Sequence, residues 1–130
     1  MTPADADADF HPDATTGPRN IRYYFSPKHH GRRGTDAATW LESITRPEEF
    51  SIIEEADLQN LADSDGNLYG VLRAVNGTLR YLGIWNEEMA EFPVQRAGEP
   101  WHGYPNYPWW KWGRRIAGGR SAARRSLFFT

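Results

Sequence analysis

The sequence predicts a small α+β domain: an antiparallel sheet around a central hairpin at 68–85, one or two short helices, and an extended aromatic, proline-rich C-terminal segment. Three observations lead there. Asn76-Gly77 separates two apolar-rich runs, 68–75 and 78–85, and both residues accept the positive φ of a two-residue type I′ turn. Asp36 and Pro47-Glu48-Glu49 are helix-start signals. Pro100, Pro105 and Pro108 exclude a regular helix or central strand from a stretch dense in rings.

Taken in order, residues 1–18 hold four aspartates, a run of alanines and little to bury, and are expected to be a flexible acidic arm. A single globular domain is expected over 19–113, and 114–130 form a basic tail able to dock through Leu127, Phe128 and Phe129. Residues 21–25 are β-branched and aromatic and read as a strand stopped by Ser26-Pro27. Asp36 is placed to cap a helix running to Ile44, with Trp40, Leu41 and Ile44 on one face. Segment 47–62 has two readings, a helix or a short strand at 50–53 followed by a helical turn, because Phe50, Ile52, Ile53, Leu58 and Leu61 scatter around a helical wheel.

With a two-residue loop, one hairpin face carries Leu68, Leu72, Ala74, Leu79, Tyr81 and Trp85, which makes it the expected core face. The other face sets Arg73 opposite Arg80, a like-charge pair that needs a bound anion or carboxylates such as Glu87, Glu88 or Glu91. Residues 89–94 add a third strand, and Pro93 makes it an edge.

The chain has 130 residues, enough for one domain, and an aromatic share of 14% offsets an apolar share of only 39%. Without cysteine there is no disulfide, thiolate nucleophile or cysteine-held metal. An acidic N-terminus without an apolar signal core and the lack of any run near 20 apolar residues point to a cytoplasmic protein with no membrane partner. The net charge of −2 is unevenly spread. Segment 42–65 has eight acidic residues against Arg46, whereas 99–130 set Glu99 against Lys111 and five arginines. That basic end is either a face for an anionic partner or a solvated tail that pairs with the acidic middle.

Asp63-Ser64-Asp65-Gly66-Asn67 resembles the centre of a calcium loop, but aligning Gly66 with the obligatory glycine puts Leu61 and Leu72 at ligand positions, so a turn before a strand is expected. His29 and His30 are adjacent and cannot face one metal from a helix or strand. No metal and no cofactor are expected, and the common hydrolase and nucleotide motifs are missing.

Two constellations remain. Lys28, His29, His30, Arg32 and Arg33 form a cationic loop suited to an anion, with Arg73 and Arg80 as further anion-binding candidates. The other lies in residues 101–112, WHGYPNYPWWKW, which hold four of the six tryptophans. Trp101, His102, Tyr104, Tyr107, Trp109, Trp110, Lys111 and Trp112, with Arg114 and Arg115, form either a recognition surface or a structural clamp. Gly103 allows another group to approach closely.

Trp, Tyr and Arg dominate protein interfaces, so the expected function is a small module binding a protein partner. Its likeness to antitoxin or immunity proteins is one of size and charge split alone. Single-stranded nucleic acid, stacked on the tryptophans and tracked by the arginines, is the first alternative. A phosphodiesterase or nuclease using His29, His30 or His102 is the second.

Overall fold

The computed structural model describes residues 10–30 and 38–106. It is an α+β fold with one α-helix, α1 (Arg46–Gln59), a 3-10 turn (Pro27–His29), and strands β1 (Leu68–Gly70), β2 (Ala90–Phe92) and β3 (Tyr104–Pro105). The sheet is antiparallel in the order β1-β2-β3, with Leu68 opposite Phe92 and Glu91 opposite Tyr104.

Helix α1 starts at a reciprocal capping box. Thr45 Oγ1 accepts from the Glu48 amide at 3.2 Å, and a Glu48 carboxylate oxygen accepts from the Thr45 amide at 2.9 Å. Asn60 closes the helix in the left-handed region. Its buried face combines Phe50, Ile52, Ile53 and Ala56 with two carboxylates, Glu49 and Asp57. The carboxylates interrupt the apolar periodicity, and Leu58, an apolar residue of the sequence pattern, points to solvent. The helical reading is therefore the correct one as far as Gln59; Asn60 ends the helix, and Leu61 and Ala62 lie beyond it, with Ala62 bridging Leu68.

Helix α1 packs on β1, and the core between and around them includes Tyr69, Leu82, Met89, Phe92 and Trp40. Strand β2 is central rather than an edge; it ends at Phe92, so Pro93 falls just outside the ladder. The expected helix from Asp36 to Ile44 does not form over its described part: Trp40 bridges Gly83 in extended backbone, and its indole Nε1 donates to the Gly103 carbonyl at 3.0 Å. Tertiary pairing overrides the local helix signal there.

The hairpin turn is present, but its loop has three residues. The Gly77 amide donates to Ala74, the Ala74 amide donates to Thr78, and Arg73 pairs with Leu79. Gly77 has φ +89°, while Asn76 is not among the positive-φ residues, which is the pattern of a type I turn followed by a bulged glycine. One residue of slip changes every opposed pair. Arg73 no longer faces Arg80, and Tyr81 and Trp85 are exposed instead of forming a core face.

Residues 10–18, the described part of the expected acidic arm, pack against the body. Phe10 packs edge-on against Phe25 and Phe50, and buried Thr15 donates to Asp57 at 2.5 Å. Residues 10–18 thus belong to the packed body. Segment 21–25 is extended as expected, yet its pairing is a single parallel bridge between Tyr23 and Trp101.

Candidate functional site

That bridge joins the two sequence constellations. The Tyr24 amide donates to Trp101 and the Trp101 amide donates to Arg22, which sets the strand leading into Lys28-His29-His30 beside the one carrying His102 and Tyr104. Ser26-Pro27 then turns the chain, with the His29 amide donating to the Ser26 carbonyl.

His29 lies stacked on His102, the ring centroids 5.8 Å apart and the planes 14° from parallel. The Tyr104 ring is 4.9 Å from His29 on one side, and the Tyr24 ring is 6.1 Å from His102 on the other. Nδ1 of His29 is 2.9 Å from the Ala38 carbonyl, an acceptor, so Nδ1 carries the proton and Nε2 is the basic nitrogen. Among the described residues, neither that Nε2 nor either nitrogen of His102 has a hydrogen-bond partner.

Burial lowers the pKa of His29 against the opposing pull of the Ala38 carbonyl, and cationic Lys28 and the neighbouring imidazoles lower it further. Burial and Lys28 lower that of His102. Both rings are accordingly neutral at pH 7.

His30 behaves in the opposite way. Its Nδ1 lies 2.5 Å from the Ser26 carbonyl and its Nε2 2.6 Å from a Glu49 carboxylate oxygen. Both partners only accept, so the ring donates twice and is an imidazolium. Burial alone would lower its pKa, but Glu49 and the Ser26 carbonyl outweigh that and raise it. The other Glu49 oxygen accepts from the Tyr23 hydroxyl. Both nitrogens of His30 are thus engaged within the fold.

The remaining candidates separate clearly. Trp101 is 8% exposed and lies in the core. Gly103 has the close approach expected of it: a Cβ there would collide with the Phe92 ring. Arg80 is ion-paired to Glu48 at 2.6 Å, not to Glu87, Glu88 or Glu91, and Arg73 donates to the Gly77 carbonyl. Neither arginine joins the histidine pair. Arg32, Arg33, Tyr107, Trp109, Trp110, Lys111, Trp112, Arg114 and Arg115 lie outside the described residues. The 63–67 loop is a turn whose Asp63 carboxylate accepts from the Asp65 and Asn67 amides and the Tyr69 hydroxyl. No cluster of three potential metal ligands occurs among the described residues.

A second surface escapes the sequence reading. The Asn86 amide donates to Gly83 across a tight turn whose two corner residues are Ile84 and Trp85. They are 48% and 67% exposed, and Tyr81 is 53% exposed. The turn is pinned at several points: Leu82 accepts from Leu41 and donates to Glu87, the Ile84 amide donates to Thr39, and the Trp85 amide donates to the Glu87 carboxylate at 2.8 Å. A shallow cleft of about 380 Å³ lies elsewhere, between Asp13, Arg22, Tyr24 and Pro100.

Comparison with protein-family models, curated proteins and solved structures finds no match. None of the described helices is long and apolar enough to cross a membrane.

Proposed function

We propose that this chain is an interaction module that binds a protein partner through the Ile84-Trp85 turn, with Tyr81 beside it in sequence. One observation carries the proposal: the two corner positions of a rigidly held turn, which usually take Gly, Pro, Asn or Asp, are occupied by isoleucine and tryptophan turned to solvent. Local rules broken in this way mark functional sites. A tryptophan on preordered backbone is an efficient anchor, because little conformational entropy is lost when a partner covers it. Covering it removes up to about 250 Å² of ring surface from water, at roughly 25 cal/mol per Å².

A protein partner is preferred to single-stranded nucleic acid because no cation stands in the turn itself, whose residues are Gly83, Ile84, Trp85 and Asn86. A cytoplasmic setting belongs to the same proposal, since a cysteine-free chain needs no oxidising compartment.

The test is co-purification from native lysate with the wild type and with Trp85→Ser, nucleic acid being assayed in parallel. The expected result is one stoichiometric protein that stays bound at about 1 M salt, where exposed ion pairs are screened, and is lost with Trp85→Ser at an unchanged melting temperature. A complex that survives the substitution, or one that dissolves in salt and carries nucleic acid, contradicts the proposal.

A further inference from the structure

We propose that Lys28, His29 and His102 form a binding site for the phosphate of an organic phosphate ester, with Tyr104 and Tyr24 as its walls. The site is separate from the Ile84-Trp85 turn and does not rest on it. His29 and His102 are nearly parallel at 5.8 Å, too far apart to bond each other and close enough for one tetrahedral group to reach both. Three ring nitrogens are without partners among the described residues, on side chains whose rings the packing already holds in place. Neither imidazole forms an ion pair with a carboxylate among the described residues; the only carboxylate paired to a histidine there is Glu49, which His30 occupies.

Among the described residues, the charges acting on the pair are cationic. Lys28 acts on both rings and His30 on His29, and both come from the same short turn. From the other packed segments the pair faces the two tyrosine rings and the Ala38 carbonyl. A phosphate supplies the missing negative charge and has enough acceptor oxygens for two imidazoles and an ammonium at once.

Binding must be linked to protons. At pH 7 His29 presents a lone pair at Nε2, and that nitrogen donates to a phosphate oxygen only after protonation. The ligand therefore draws a proton into the pair, and its affinity rises as pH falls through the range where the free histidines titrate.

The test is calorimetric titration of the full chain with phenyl phosphate near pH 7, in two buffers of different ionisation enthalpy at matched ionic strength. The expected result is uptake of about one proton per ligand bound. His102→Gln and Lys28→Gln, both at solvent-accessible positions, are each expected to weaken binding roughly tenfold or more at an unchanged melting temperature. The imidazole NMR signals of His29 and His102 in the wild type provide a readout that needs no variant, and both are expected to shift with phenyl phosphate. Failure to bind, binding without proton uptake, unmoved imidazole signals, or an affinity that neither variant changes would each overturn the site. Trp85→Ser is expected to leave this titration unaltered.

Discussion

Glu49 is a carboxylate with 1% exposure on a helix face that it shares with Phe50, Ile52, Ile53, Ala56 and Asp57, and it is accommodated because His30 and Tyr23 both donate to it. Removing one partner of such a pair leaves a buried charge uncompensated, at a cost of about 3–5 kcal/mol. The pH dependence has a definite sign. The pKa of His30 is raised on folding, so its contribution is fully present below the unfolded value of about 6.5 and is lost as pH rises through the higher folded value. His29 and His102 act the other way, because their folded pKa values are depressed and stability is lost as pH falls below about 6.5. Denaturant unfolding of wild type and His30→Gln across pH 5 to 9 separates the two effects. The gap between them is expected to be widest on the acid side and to narrow as pH rises past the folded pKa of His30. Parallel profiles would remove the imidazolium from this account.

At the scale of the element, the hairpin turn gives the cleanest stability prediction. Gly77 has φ +89°, and a Cβ at that position would meet no atom within 4 Å, so substitution there acts through backbone strain alone. Gly77→Val is expected to cost more than about 1 kcal/mol in a denaturant melt, and an unchanged midpoint would refute the bulged turn. The turn is legible in Asn76-Gly77, but the register is not, because a positive φ at Gly77 suits both the two-residue loop and the three-residue loop. The exposure of Tyr81 and Trp85 follows from this difference and from the separate Gly83–Asn86 turn, whose two corner positions carry no Gly, Pro, Asn or Asp. Helix α1 carried a readable start signal in Thr45-x-x-Glu48, obscured further along by the acids on its inner face. The histidine site was legible in its residues and not in its assembly. Nothing local to Lys28-His29 or to His102 says that the chain segments before them pair in parallel through Tyr23 and Trp101.

Over the whole molecule, residues 10–19 pack against α1 and the aromatic residues beside it. Thr15 and Arg19 converge on Asp57, which is fully buried, and Phe10 adds its ring to those of Phe25 and Phe50. Deleting residues 1–18 removes Phe10 and Thr15 and leaves Asp57 with Arg19 alone. The loss of at least ~2 kcal/mol corresponds to a melting temperature lower by roughly 10 °C, and an unchanged value would restore the picture of a free acidic arm. Two surfaces stand on the body: the histidine pair beside Tyr24 and Tyr104, and the apolar corner at Ile84 and Trp85. The second carries the central claim, which side-chain footprinting by hydroxyl radicals tests without altering the protein. In the free chain Tyr81 and Trp85 are expected to label readily. In the complex with the co-purified partner their labelling should fall several-fold, whereas protection centred on other residues, with Tyr81 and Trp85 labelled as before, would contradict a partner seated on this turn.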